Sequence, residues 1–314
     1  MHIIASRRHR AHNTTYILPG YASHYDEVPQ RAEAILAAVS AAGLGEISEP
    51  MDHGLAPILA VHDADLVEFL QGAYQGSRAF LSGEAPLFPD GYFAVRGWRH
   101  RPNTWQQQSG YYAIDRDCPI LAGTWDAAYW SAQAALTAAN LVQAGERTAY
   151  ALCRPPGHHA SASQYGGYCY LNNAAIAVRH LQSCGRVAMV DIDYHHGNGT
   201  QEIFYADPTV LTCSLHADPD EEYPYFWGAA AELGSGPGLG ANRNWPLPAG
   251  TDDDAYLAAL DEALDVVAAF QANYLLISAG FDLLAGDSVA TTGGFLITPE
   301  GLELIGRRLA GLGL

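Results

Sequence analysis

The chain has 314 residues, 34 of them acidic and 16 basic, for a formal net charge of −18, and every basic side chain is an arginine. A surface of that sign repels nucleic acid and attracts cations, while 49% apolar and 16% charged residues exclude a disordered chain. No apolar run approaches the roughly 18 residues of a membrane-spanning helix. The N-terminal MHIIASRRHRAHNTTY lacks an apolar stretch of signal-peptide length, and the five scattered cysteines have no CxxC spacing. These features point to a cytoplasmic protein with no membrane or nucleic-acid partner.

In chain order, RAEAILAAVSAA (31–42) carries apolar residues at helical spacing. The segment 76–112, rich in Gly, Pro, Arg and aromatics, shows no clear period and is expected to be a long functional or interface loop. The alanine-rich stretch 125–144 predicts a helix, and TAYALC (148–153), RVAMVDI (186–192) and TVLTCSL (209–215) are short apolar runs of the kind buried strands use. A second loop, 216–252, follows. Residues 253–270 predict another helix, whose acidic start suits a helix N-terminus, and NYLLISA (273–279) predicts a further strand. Strands alternating with helices imply an α/β fold, one domain over 1–314 with a mainly parallel central sheet flanked by helices.

In a parallel α/β sheet, ligands bind at the carboxyl ends of the strands. Three of the predicted strands run there into chemistry: TAYALC into RPPGHH with His158 and His159, RVAMV into Asp191, Asp193 and His195, and YLLISAGF into Asp282. Two carboxylates and an imidazole, Asp193, His195 and Asp282, would suit a divalent cation with an open position for water. Zinc accepts both donor types, and an oxygen-rich set also suits iron or manganese. A carboxylate-rich strand end could bind magnesium and phosphate, but no glycine loop with a lysine follows a strand, which disfavours a phosphatase.

RPPGHHA, GGYCYLNNAAIA, DIDYHHGNGTQEIFY and SAGFDLLAGD, in this order, resemble the histone deacetylase-like amidohydrolases. Within that family the chain is most similar to the bacterial acetylpolyamine amidohydrolases, as GTWDAAYWSAQAALTAA also suggests. The similarity extends from YDEVPQRAEAI to ITPEG. It implies an arginase/deacetylase-like fold and a zinc ion, with Fe2+ as the other candidate, on Asp193, His195 and Asp282. It also implies that His158 and His159 are the catalytic pair, that Asp191 orients the first and that Asn198 faces the second. Where other branches carry Asp at that place, a neutral Asn withholds the charge that would raise the pKa of His159. Tyr168, Gly167 and Tyr223 match channel walls, and Asp117 matches an acidic residue at the rim that could pair with a distal ammonium group. A structural K+ is expected near Asp191, Asp193, His195 and Ser214.

The resemblance further implies that the 76–112 insertion narrows the entrance and supports a homodimer. Glu84 and Asp90 there could hold ammonium groups, although Arg96, Arg99 and Arg101 oppose a simple acidic funnel. The family's transition-state tyrosine lies on a strand after the helix that follows ITPEG, beyond the last residue given, so a longer protein is expected. Gly293-Gly294-Phe295 is no substitute, because phenylalanine has no hydroxyl. The expected function is hydrolysis of a small, cationic, acetylated polyamine. The alternatives are deacylation of acetyl-lysine or other small acetylamides, and a non-catalytic metal-binding relic of the family.

Overall fold

The structure, a computed structural model, describes residues 1–15, 25–89 and 100–312. It is mixed α/β, with parallel sheets flanked by helices, and comprises two compact units, Met1–His180 and Leu181–Leu314. Asp90, Arg96 and Arg99 of the insertion lie outside the described residues. Among the described residues no helix is long and apolar enough to cross a membrane.

The first unit runs β1 (His2–Ala5), α1 (Pro29–Ala41), β2 (Glu46–Ser48), α2 (Ala56–Leu59), α3 (Ala64–Ser77), α4 (Trp105–Tyr111), α5 (Thr124–Gln143), β3 (Ala149–Leu152) and α6 (Asn173–Leu181), whose last residue opens the second unit. Strand β1 is central in a parallel sheet of order β2-β1-β3. Ile4 of β1 packs with Ala134 and Ala138 of α5, small residues that let the long helix lie close to the sheet. The insertion is less irregular than its composition suggests. Helix α4 forms inside it, capped by Thr104, and Trp105 lies over α3 where Gly72 and Gly76 leave room for the indole. A Cβ on Gly76 would fall 2.3 Å from Trp105 Nε1. Arg78 fastens the start of the insertion by donating to the carbonyls of Gly83 (2.6 Å) and Ala85 (2.5 Å) and to Ser77 Oγ (2.8 Å).

The second unit runs β4 (Val187–Asp191), α7 (Asn198–Phe204), β5 (Val210–Ala217), β6 (Asn242–Leu247), α8 (Asp253–Phe270), β7 (Tyr274–Ser278) and α9 (Pro299–Ala310). Its sheet has the order β6-β5-β4-β7, with every pairing parallel. The apolar runs of β4 and β5 are buried throughout, as strands covered on both faces must be. Helix α8 starts at Asp252, whose carboxylate accepts from Ala255 N–H (3.0 Å), and turns Tyr256, Leu260, Ala263 and Val267 into the core with Val190, Leu211 and Leu215. Asp253 then ties the start of α8 to that of α9 by accepting from both Thr298 N–H (2.9 Å) and Thr298 Oγ1 (2.6 Å). Asp191 stands in register with Ser214 on one side and Ser278 on the other, so the three strands deliver their following residues to the same edge.

Candidate active site

In the second unit the chain leaves β4 through Asp191, and alternate residues of the next turn are fixed by the carboxylate two places before them. Asp193 N–H donates to Asp191 Oδ1 (3.1 Å) and His195 N–H to Asp193 Oδ1 (2.9 Å). Asp282, four residues past β7, accepts from Tyr194 N–H (3.1 Å). These bonds bring Asp193, His195 and Asp282 together, with one ligand atom of each within 4.8 Å of the others. His195 Nδ1 lies 2.9 Å from Asp282 Oδ2 and 3.4 Å from Asp193 Oδ1.

This arrangement suits a divalent cation. Burial alone would depress the His195 imidazole, but hydrogen bonds to Asp193 and Asp282, and their charges, outweigh it and lift the group to about 10. Two carboxylates thus converge on one imidazole nitrogen, where a divalent cation would take the place of the proton. Gly280 supplies the room: a Cβ at that position would lie 2.1 Å from Asp193 Oδ2 and 2.6 Å from Asp282 Oδ1. Asp191 and Asn198, expected to steer the catalytic histidines, are both buried, and Asn198 opens α7. The Tyr223 ring stands edge-on to His195, with centroids 6.0 Å apart. Its backbone is held by Glu222, a buried carboxylate that accepts from Tyr223 N–H (3.1 Å), Thr291 N–H (2.9 Å) and Thr291 Oγ1 (2.7 Å). Burial would raise the Glu222 carboxyl, but these donors pull it below its ordinary range.

In the first unit His158 and His159 sit in the loop after β3, both buried, with ring centroids 4.0 Å apart. The loop is pinned at each end. Asn173 Nδ2 and Ser131 Oγ donate to Pro155 O (3.0 and 2.9 Å), and Asn172 Nδ2 donates to Ala160 O (3.0 Å). Gly157 lies so close to Asn173 N (2.6 Å from an ideal Cβ) that no side chain fits. His62 adds a brace: its Nε2 accepts from Asn172 N–H (2.9 Å), so Nδ1 carries the proton and donates to Ser161 O (2.9 Å). Upstream, the buried Arg154 donates to His9 O (2.7 Å), to His12 O (2.9 Å) and to Glu27 Oε2 (3.0 Å).

Asp117, Gly167 and Tyr168 also lie near one another in this unit. Tyr25 joins them, its hydroxyl donating to Asp117 O while its ring meets Tyr168 edge-on at 5.0 Å. Desolvation by the surrounding protein, and next the Asp115 charge, push Asp117 up to about 6, with Arg116 pulling the other way. Tyr25, His62, Asp115, Glu222 and Gly280 had not been singled out in the sequence. Tyr25 and Gly280 lie within the motifs YDEVPQRAEAI and SAGFDLLAGD, but their roles, like those of the other three, depend on contacts to residues far along the chain that leave no local pattern.

The Histone deacetylase domain matches residues 25–314. The chain belongs to the histone deacetylase family. It is 44% identical to Acetylpolyamine amidohydrolase 1 of Pseudomonas aeruginosa, over 99% of this chain and 90% of that protein. It is 40% identical to Acetylpolyamine amidohydrolase of Mycoplana ramosa, over 100% of this chain and 92% of the relative. The crystal structure of acetylpolyamine aminohydrolase from Burkholderia pseudomallei superposes with a TM-score of 0.91 at 39% identity, over 100% of this chain and 91% of that one. As a family member the chain is a hydrolytic deacetylase of a metal-dependent class, and Asp193, His195 and Asp282 form a donor group able to hold the metal.

Proposed function

We propose that the chain hydrolyses the acetamide bond of acetylated polyamines, releasing acetate and a free amine, with Zn2+ held by Asp193, His195 and Asp282. The observation that carries the substrate class is the likeness, over nearly the whole chain, to proteins named acetylpolyamine amidohydrolase. Asp117 supports it: a carboxyl with a midpoint of about 6 is ionised at neutral pH and can pair with a distal ammonium group. Fe2+ would meet the same mixed oxygen and nitrogen donors. When bound, the ion polarises the amide carbonyl and acidifies water beside it.

The remaining work falls to side chains. His159 takes a proton from water as its oxygen attacks the acetamide carbon, then delivers that proton to the amine nitrogen as the C–N bond breaks. His158, oriented by Asp191, stabilises the negative charge that gathers on the carbonyl oxygen. Asn198, a neutral partner, leaves His159 able to act as a base. Tyr168, Gly167 and Tyr223 wall the passage for the alkyl chain, and Asp117 anchors its cationic end. A structural K+ near Asp191 and Ser214 and a homodimer built on the 76–112 insertion belong to the same reading.

The test compares kcat/KM of zinc-loaded protein on acetylputrescine and on an acetyl-lysine peptide. A strong preference for the acetylated amine is expected. Preference for the peptide would overturn the polyamine assignment, and metal binding with turnover of neither would make the chain a non-catalytic relic.

A further inference from the structure

We infer that Asp115 is a positioning residue for substrate selection: its two carboxylate oxygens hold, one each, the backbone that carries Asp117 and the turn that carries Tyr168. The inference rests on the reading of Asp117 as the ammonium anchor and Tyr168 as a channel wall.

Residues 112–115 run alongside 165–167. Tyr165 N–H donates to Tyr112 O (2.8 Å) and Ile114 N–H to Tyr165 O (2.9 Å). The next bond in that series comes from a side chain, with Gly167 N–H donating to Asp115 Oδ2 at 2.7 Å. The other oxygen, Asp115 Oδ1, accepts from Asp117 N–H at 2.9 Å. Such close approach requires Gly166, where an ideal Cβ would fall 2.2 Å from Ile114 Cγ1 and 2.7 Å from Asp115 Oδ2.

The turn needs this support. Gly166 and Cys169 exchange backbone bonds (3.0 and 2.8 Å), and the two residues between them, Gly167 and Tyr168, have φ of 52° and 66°. That is the geometry of a tight hairpin turn with both central residues left-handed. Glycine adopts it freely, but a tyrosine there is strained and persists only when its surroundings hold it. The carboxylate on Gly167 N–H supplies part of that hold. Because both oxygens accept, an amide cannot replace the acid: asparagine has one acceptor, so its NH2 must face one of the two N–H groups.

Asp115 also sets the charge at the anchor. Among the described residues, the titratable and charged groups around Asp117 are Asp115, Arg116 and Cys118 on its own segment, Tyr168 on the turn, and Tyr25, whose hydroxyl reaches its carbonyl, with Asp26 acting on Tyr168. Of these, Asp115 is the one that raises Asp117, so its removal moves the anchor's midpoint to lower pH.

The experiment measures kcat and KM of metal-loaded wild type and Asp115→Asn across the pH range spanning the Asp117 midpoint. The substrates are N-acetylputrescine and the neutral N-pentylacetamide. The expected result is a loss of the wild type's preference for the cationic amide by roughly tenfold, carried by KM, the size of one disturbed charge-assisted contact. The midpoint of its pH dependence should move to lower pH. Asp115→Ser repeats the test should Asp115→Asn fail to give folded protein. Parallel losses on both substrates with an unmoved midpoint would overturn the inference. A wild-type enzyme with no preference for the cationic amide would overturn the reading of Asp117, and the inference with it.

Discussion

Gly280 shows how little tolerance the ligand group leaves at a single position. A methyl there would sit 2.1 Å from Asp193 Oδ2, and the carboxylate is held by bonds it would have to break to move away. Gly280→Ala should therefore lower metal affinity by roughly 10- to 100-fold, the usual cost of disturbing groups that orient ligands. Competition with a chelator measures this, and an unchanged affinity would show that the two carboxylates can separate at no cost. At this scale the sequence is legible where a residue does its work through its own functional group. Asp193, His195 and Asp282 could be named from their place after apolar runs. Asp115, His62 and Gly280 could not, because each matters through a backbone N–H or a gap contributed from far along the chain.

Among the elements, the loop bearing His158 and His159 is braced by His62, between α2 and α3, and the brace works only while the imidazole is neutral. Burial lowers His62 from 6.5 to about 4, partly offset by its backbone partners. As pH falls from 6.5 towards 4, the unfolded chain takes up a proton that the folded chain refuses. The stabilisation is full above that window and is lost through it, on the order of 3 kcal/mol. His9 and His12, lowered by burial to about 4 and about 3, act in the same direction. Urea unfolding near pH 7 and near pH 5 should show a steeper loss of stability in wild type than in His62→Gln, and equal slopes would contradict the brace. The elements differed in how openly they announced themselves. Helices α5 and α8 and strands β4, β5 and β7 follow the predicted spans closely, since alanine-rich amphipathic spacing and unbroken apolar runs are strong signals. Strand β2 is three exposed residues, and β6, NRNWPL, is polar with a proline that only an edge strand tolerates. Helix α4 was hidden because its docking depends on glycines of α3, not on its own period.

For the molecule as a whole, the charge of −18 and the metal govern behaviour in solution. Raising ionic strength shortens the screening length from about 10 Å at 0.1 M to about 3 Å at 1 M. KM for acetylputrescine should rise over that range while KM for a neutral acetamide stays level; parallel behaviour would mean that the acidic surface plays no part in capture. Metal binding to the folded state alone adds about 4 kcal/mol at a thousandfold excess over its dissociation constant. Chelation should accordingly lower Tm by several degrees, with recovery on adding Zn2+. A Tm indifferent to chelator and metal would argue against occupation of Asp193, His195 and Asp282.

The guanidinium forks of Arg78 and Arg154 fasten loops by reaching several carbonyl oxygens at once, a task for which a lysine's point charge is poorly shaped. Arginine takes both of these places, and over the 314 residues no side chain ends in a primary amine. These 314 residues present no ε-amino group to acyl donors, so no lysine among them can be acetylated and then compete with the substrate for the catalytic centre. Amine-directed labels and cross-linkers would likewise pass over the side chains of these 314 residues.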